Sequence, residues 1–264
     1  SVIFPALIQS VTSEFSDFPF YTPLVDPFEL GVLAVPFVVL NGMILLIGIV
    51  YYKKHFSLER LFDFDISNKI TIIVIAIILS VYIASTVGEF AVEESWNDFS
   101  RIQSVVIDRG IENLQGFDLY VKYTLLTISQ NFFGDMRVVP FLASIALLVT
   151  TFFIAKEITK KRVPGIIAMV LVLQSNIFLS YDTSATYSNF WILFYVLSLY
   201  LILRKWQMSH VSFVLSIFSK SLSAIFLPMT MFFVLNNTKG RRRIYITVSY
   251  GALMIAGVFA ASNS

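Results

Sequence analysis

The sequence predicts an all-α protein, a polytopic membrane bundle whose spans are joined by short charged links and one long acidic loop. Hydrophobic residues make up 57% of the chain and charged residues 14%, whereas soluble domains carry roughly 25% charged residues. The mean hydropathy is +0.78, so the chain cannot cover a water-facing surface. Apolar stretches near 20 residues long, enough to cross a bilayer core, recur along it.

These apolar stretches predict spans at 31–52, 70–87, 138–155, 163–180, 188–203 and 244–261. The stretch 207–236 contains Lys220 and Pro228, so we expect two short helices joined near Lys220. The first, 207–219, would be about 20 Å long at 1.5 Å per residue, short of a hydrocarbon core of roughly 30 Å. Either neighbouring helices shield it or the hairpin is re-entrant, and both alternatives place Lys220 at a turn.

Basic residues cluster in four links, and all four links fall on one side of the membrane if the spans are as predicted. The clusters are Lys53, Lys54 and Arg60; Lys156, Lys160, Lys161 and Arg162; Arg204 and Lys205; and Lys239, Arg241, Arg242 and Arg243. The positive-inside rule assigns that side to the cytoplasm. We therefore expect a multi-pass integral membrane protein whose segment 1–30 and loop 88–137 are external or lumenal.

The loop 88–137 has a helical pattern of its own. Trp96, Phe99 and Ile102 recur every three to four residues, which is one face of a helix. This predicts two helices lying along the membrane surface, near 95–109 and 117–133, with the second ending at Phe132-Phe133-Gly134 and apolar along Phe117, Tyr120, Val121, Leu125 and Ile128. Two such helices would form a floor for a ligand held at the surface.

Three carboxylates, Glu89, Glu93 and Glu94, follow the predicted span 70–87. A carboxylate at head-group level can act as a general base on an acceptor or hold a divalent cation through oxygen ligands. The alternative is that these acids only solvate an outer loop. We rank Glu93 first, then Glu94 and Glu89, as candidate catalytic residues.

Lys220 interrupts an apolar stretch, which marks it as a candidate functional residue. Its ammonium could pair with a lipid phosphate, or it could extend to the interface from a helix end. The candidate substrate-binding residues are Lys220, Arg137 and Arg101. The chain has no cysteine and only two histidines, His55 and His210, so we assign no metal ligands; a divalent cation is the one cofactor left open.

The order of these features resembles the N-terminal half of the GT-C glycosyltransferases, in particular the dolichyl-phosphate-mannose protein mannosyltransferases and the aminoarabinose transferases. Glu93-Glu94-Ser95-Trp96 resembles their acidic pair followed by an aromatic residue. Phe133-Gly134-Asp135-Met136-Arg137 resembles their Phe-Gly-x-x-x-Arg signature, with the arginine one position early. Further likenesses are the basic turn AKEITKKR at 155–162, the outer turn SYDTSATYSNFW at 180–191, and Ser219-Lys220-Ser221 with Pro228, similar to a Thr-Lys-Gly stretch before Leu-Pro.

The resemblance covers about 70–240. Together with the predicted spans and orientation, it divides the chain into three parts. These are an external segment 1–30, an extra N-terminal span with its cytoplasmic link at 31–69, and a GT-C-like transmembrane module at 70–264. It implies a transferase that moves a sugar from a polyprenyl-phosphate donor to an acceptor on the outer face, with an acid of the first outer loop as base or metal ligand.

Two other functions remain open on the residues. The chain could be a non-catalytic transmembrane subunit that packs against partner membrane subunits of a larger complex. A transporter is a third class. The sequence shows no apparent inverted repeat, which argues against it. The expected partners are the bilayer, a polyprenyl-phosphate-linked sugar and membrane subunits, with no nucleic acid.

Overall fold

The computed structural model describes residues 65–92, 94, 96, 98–109 and 120–262, and for 108, 109 and 254–262 it describes the backbone alone. All regular elements in these ranges are helical, and no strand occurs among them. The predicted all-α class is therefore confirmed. The predicted external segment 1–30 and span 31–52 lie outside the described residues.

Ten α-helices make up the described ranges. They are α1 (Asn68–Thr86), α2 (Phe99–Ser104), α3 (Tyr120–Phe133), α4 (Val138–Thr159), α5 (Arg162–Leu173), α6 (Asn176–Tyr181), α7 (Phe190–Arg204), α8 (Trp206–Ser219), α9 (Leu227–Asn237) and α10 (Gly240–Ser262). A short 3₁₀ turn, Val87–Ala91, follows α1, and a second, Ser221–Phe226, precedes α9. The π-helical turn Val105–Arg109 continues α2.

Two of the described helical stretches are long and apolar enough to cross a membrane. These are Asn68–Ala91 and Val138–Thr159, and three shorter apolar stretches accompany them: Arg162–Leu173, Phe190–Arg204 and Ser221–Asn237. The first stretch buries 17% of its apolar window and the second 44%. Most of the apolar window of the first stretch is therefore not buried.

The helices pack around three apolar clusters. Two lie in the body of the bundle: one joins α1, α4, α5 and α6, and the other joins α7, α8, α9 and α10. The third lies at one end, where α2 and α3 pack on the start of α4 and α7 through buried side chains such as Ile102, Leu126, Ala143 and Phe190. This third cluster fixes the helices of the predicted outer loop to the bundle.

Charge is segregated between the two ends of the bundle. At one end Arg162 pairs with Asp65, while Arg204 and Lys160 pair with Glu157. At the other end lie the acids Glu89, Glu94, Asp98, Asp135 and Asp182 with the cations Arg101, Lys122, Arg137 and Lys220, joined by the contacts described below. We call these the basic end and the acidic end.

The helix bounds follow the sequence predictions closely, with one break. The stretch predicted as a span at 163–180 is divided at Gln174 and Ser175, where the Ser175 side chain caps α6. Lys220 lies at a turn as expected, directly after α8. The second loop helix ends at Phe133, followed by Gly134 at a φ of +73°, a left-handed conformation that glycine adopts without strain.

The buried face of α3 is not its apolar face. Lys122, Leu126 and Ser129 are buried, whereas Ile128, on the predicted apolar face, is 41% exposed. Spacings of four and three residues place the buried three on one side of the helix. The polar side of α3 therefore faces the bundle, and part of its apolar side is left for the surroundings.

Gly165 of α5 lies against Phe152 of α4. A Cβ at this position would stand 2.7 Å from Phe152 Cδ2 and 2.8 Å from the Phe152 carbonyl oxygen. Both separations are shorter than contact, and a backbone oxygen cannot move aside cheaply. We expect Gly165→Ala to lower the free energy of unfolding by about 1–2 kcal/mol, since overpacking outweighs the helix propensity that alanine adds.

Denaturant unfolding in detergent measures this effect. Gly88→Ala is the matched control, because a Cβ at Gly88 has nothing within 4 Å. Equal stability of the Gly165→Ala protein and the wild type would show that α4 and α5 do not approach so closely.

Candidate functional site

A polar turn between α6 and α7 organises the acidic end. Its residues 182–189 are mostly buried despite being polar, including Asp182, Ser184, Thr186 and Asn189. The Asn189 side-chain amide donates to Ser144 Oγ at 3.1 Å, and Ser144 Oγ donates to the carbonyl of Asp182 at 2.9 Å. Since Ser144 lies on α4, these bonds hold the turn to the bundle.

Both carboxylate oxygens of Glu94 accept hydrogen bonds from this turn. Its Oε1 accepts from Ser184 Oγ at 2.7 Å and from the Thr186 N–H at 3.1 Å, and its Oε2 accepts from the Ala185 N–H at 2.9 Å. Ala185 and Thr186 are buried. Their amides have no strand or helix partner, so the carboxylate supplies the acceptors that a buried backbone needs.

Lys122 approaches the same turn from α3. Its ammonium donates to the Thr186 carbonyl at 2.6 Å, and the residue is 8% exposed. Burial lowers the pKa of Lys122 to about 8; the charges of Glu94 and Asp98 oppose that fall, whereas the charge of Lys220 adds to it. An ammonium has three donors, and only one of them is used within the described residues.

The charge of Lys220, the predicted phosphate ligand, helps to lower the pKa of Lys122. The Lys220 Nζ is 5.2 Å from the centroid of the Trp191 ring, a cation–π contact. Among the described residues its ammonium makes no hydrogen bond. The charges of the predicted site residues Lys220 and Glu94 thus both act on the pKa of Lys122, a residue for which the sequence predicted no role.

Asp182 is a second functional candidate that the sequence reasoning missed. It is 1% exposed, its Oδ2 accepts from the Tyr82 hydroxyl at 2.7 Å, and its Oδ1 has no hydrogen-bond partner among the described residues. Burial raises the pKa of Asp182 to about 6, against the hydrogen bond from Tyr82, and the nearby charge of Glu89 raises it further. Asp182 therefore holds a proton far more readily than an ordinary carboxyl does.

Glu89 is the most accessible of the predicted acids that the structure describes. It is exposed, and its Oε2 accepts from the Thr183 hydroxyl at 2.9 Å. Its carboxylate has room for a further donor. Glu93, ranked first in the sequence analysis, lies outside the described residues.

The other predicted substrate-binding residues differ in their surroundings. The Arg137 guanidinium donates to the carbonyls of Glu89, Phe90 and Val92 and pairs with Asp135 at 3.3 Å. It therefore closes the chain after α1 onto the start of α4 and has little capacity left for a ligand. Arg101 is exposed on α2.

Three aromatic rings lie on the surface beside this site. Trp96 contacts Tyr181 and Tyr187 at centroid distances of 5.4 and 5.2 Å, and the two tyrosines lie 5.2 Å apart. Trp96 was predicted to share a helix face with Phe99 and Ile102, but it precedes α2 and instead packs on the polar turn. Among the described residues, no three His, Cys, Asp or Glu side chains come together as a metal site requires.

The buried carboxyl predicts a specific pH dependence. A group whose folded pKa is raised binds its proton more tightly in the folded state, so stability falls as pH rises from about 4, the unfolded pKa of Asp, to about 6. We expect the stability of the Asp182→Asn protein not to show this fall between about pH 4 and about pH 6, because asparagine does not titrate. The variant should keep the hydrogen bond from Tyr82.

Thermal unfolding in detergent across this pH range measures the effect. Asp98→Asn is the control, because Asp98 is exposed, and this variant should keep the wild-type slope. Identical slopes for the wild type and Asp182→Asn would contradict the burial of the carboxyl.

Comparison with known proteins returned no relatives: no protein-family model, no curated protein and no solved structure matches the chain. The functional assignment therefore rests on the residues of the chain itself.

Proposed function

We propose that the chain is a membrane glycosyltransferase of the polyprenyl-phosphate-dependent type, with its reaction at the acidic end. The observation that carries the proposal is that Lys122 and Lys220 both keep unused ammonium donors at the acidic end, since Lys122 donates one hydrogen bond and Lys220 contacts only the Trp191 ring among the described residues. The charge of Lys220 helps to lower the pKa of Lys122, against the charges of Glu94 and Asp98, and a bound anion would reduce the repulsion between the two ammonium groups. Their unused donors fit the oxygens of a phosphate.

The level of this pair in the fold suits a lipid-linked phosphate. Lys220 directly follows α8, and the exposed apolar side chains Leu222, Ile225 and Met229 come next along the chain. A donor anchored by its polyprenyl tail presents its phosphate where an apolar surface meets a polar one. In this proposal Lys220 lies at such a boundary, and the buried Lys122 lies behind it.

In this proposal the lysines stabilise the leaving group. The bond between the sugar's anomeric carbon and the phosphate oxygen breaks, the phosphate keeps the electron pair, and the ammonium groups balance the charge that develops there. The acceptor's hydroxyl or amide forms the new bond to the anomeric carbon and gives up its proton to a carboxylate. Glu89 is exposed beside the turn and suits this role, together with the predicted Glu93.

Glu94 has a different role in this proposal. Its carboxylate is occupied by Ser184, Ala185 and Thr186, so it positions the turn that also receives Lys122 through Thr186. We assign it as a positioning residue and no longer as a base.

The proposed membrane topology follows from the segregation of charge. The basic end carries the three described clusters that the positive-inside rule assigns to the cytoplasm, those at 156–162, 204–205 and 239–243, and in this proposal the acidic end lies outside or in a lumen. The candidate spans α1 and α4 connect the two ends. The polytopic bundle, the surface position of α2 and α3 and this orientation are all parts of the proposal.

The alternative is a non-catalytic subunit, which one observation favours. Glu94 and Arg137 satisfy groups of their own chain, so the acidic cluster that suggested a catalytic site is partly structural. A subunit would use the exposed apolar faces of α1 and α9 to pack on partner helices.

A transfer assay separates the two functions. The full chain is reconstituted in vesicles with a labelled polyprenyl-phosphate sugar, and transfer to water-soluble or lipid acceptors is counted. We expect transfer by the wild type, a large loss in Lys220→Gln, and wild-type transfer in Lys69→Gln, whose exposed lysine lies at the start of α1. Absence of transfer by the wild type, or full transfer by Lys220→Gln, would support the subunit function.

A further inference from the structure

Among the described residues, the basic end carries more positive charge than its acids neutralise. Asp65 is taken by Arg162, whose guanidinium lies 2.6 Å from it, and Glu157 is taken by Lys160 and Arg204, each at 2.6 Å. Among the described residues, no acid pairs with Lys205, Lys239 or Arg241, and all three are exposed. We call these three the cationic rim.

The fold brings the members of this rim to one place. The Arg242 guanidinium donates to the Ile202 carbonyl, which joins the first turn of α10 to the last turn of α7. Arg243 donates to the Thr238 carbonyl at 2.8 Å and holds the link between α9 and α10 against the same turn. Lys205 directly follows α7, whereas Lys239 and Arg241 flank the start of α10.

The start of α10 concentrates positive charge that no acid of the helix balances. Three consecutive arginines occupy its first turn, and no acid does. The first N–H groups of a helix lack intrahelical partners and carry partial positive charge, so cations are unfavourable there. A bound anion would relieve both the helix terminus and the arginines.

The neighbouring surface shows what kind of anion fits. Directly beyond the arginines, Ile244, Tyr245 and Val248 are 60–64% exposed, and Met208 and Val211, which follow Lys205, are each 54% exposed. The cationic rim thus borders an apolar surface. A ligand that matches both parts has an anionic head and an apolar tail.

We propose that the cationic rim binds the phosphate head groups of anionic phospholipids in the leaflet at the basic end. This goes beyond the proposed transferase, which uses the opposite end, and requires only that the chain lie in a membrane. Cations at a membrane surface each contribute about 1 kcal/mol of attraction to anionic lipid, and arginine matches phosphate geometry through paired donors.

The test measures retained lipid and is independent of transfer. The purified full chain is placed in nanodiscs of phosphatidylcholine with and without phosphatidylglycerol, and the melting temperature and the lipids retained on detergent extraction are recorded at low and high salt. The test variants are Arg241→Gln and the triple variant Lys205→Gln, Lys239→Gln, Arg241→Gln. The matched control is the charge-conserving triple variant Lys205→Arg, Lys239→Arg, Arg241→Lys, which keeps three cations at the same positions.

We expect phosphatidylglycerol to raise the wild-type melting temperature and to be retained selectively, with both effects weakened by salt. Each removed charge should weaken the preference roughly fivefold, the equivalent of about 1 kcal/mol, and the charge-conserving triple variant should keep it. An unchanged preference in the triple glutamine variant would overturn the proposal, as would an equal loss in the charge-conserving variant. So would equal stabilisation by soluble glycerol phosphate in phosphatidylcholine discs, because a free anion would then suffice.

Discussion

Replacement of Lys122 by methionine is expected to reduce sugar transfer by about 100-fold or more, the loss that follows removal of one group stabilising a developing negative charge. Methionine keeps the length and bulk of the side chain but has no ammonium. The wild-type ammonium is buried and donates a single hydrogen bond to the Thr186 carbonyl. Its unused donors are the ones assigned to the phosphate.

The same variant separates catalysis from stability. Burial of a charged lysine is unfavourable, as its lowered pKa of about 8 shows, so removal of the charge offsets part of the lost hydrogen bond. We expect a small change in the free energy of unfolding at pH 7. Unfolding of the Lys122→Met protein would contradict the assignment of Lys122 to the phosphate. Full transfer by this variant would contradict it as well.

The pH profile gives a second readout for Lys122. A depressed folded pKa means that the folded state resists protonation, so wild-type stability should rise relative to Lys122→Met as pH rises from about 8 to about 10.5. Transfer should fall over the same range, because the neutral amine no longer stabilises a phosphate. Unfolding and initial rates measured on one preparation test both directions.

Replacement of Glu94 by glutamine is expected to lower the free energy of unfolding by about 2–3 kcal/mol. The carboxylate accepts from Ser184, Ala185 and Thr186, and a glutamine amide offers only one oxygen to these donors. Its NH₂ group would then face a buried backbone N–H. Neither orientation of the amide satisfies all three donors.

Glu89→Gln is the matched control for this prediction. Glu89 is exposed and accepts one bond, from the Thr183 hydroxyl, which can rotate to another acceptor. Its stability should remain within about 0.5 kcal/mol of the wild type, while transfer falls if Glu89 acts as the base. Equal destabilisation by the two substitutions would show that Glu94 does not hold the turn.

The helices could be predicted from sequence because their signals are local. Apolar runs bounded by charged residues set α1, α4 and α7 to within a few residues, and Lys220 marked the turn after α8. The break at Gln174 and Ser175 had a weaker signal. It was a single serine, Ser175, whose side chain accepts from the Phe178 N–H at the start of α6.

The site depended on contacts between distant parts of the chain. Glu94 meets Ala185 and Thr186 about ninety residues later, and no local pattern shows that these amides need an acceptor. Lys122 resembled a solvent-facing lysine on a surface helix, and its spacing from Leu126 and Ser129 became informative only once that face was seen to be buried. Asp182, in a turn rich in Ser and Thr, resembled an ordinary loop acid until its burial beside Tyr82 was known.

The most direct test of the central claim is a cryo-electron microscopy structure of the full chain in a nanodisc containing polyprenyl phosphate. We predict density for the phosphate within hydrogen-bond distance of both the Lys122 and Lys220 ammonium groups, with the tail leaving along Leu222 and Ile225. Phosphate density elsewhere, or both ammonium groups sealed in contacts with their own chain while the lipid is bound at another position, would contradict the assignment of the acidic end as the transfer site.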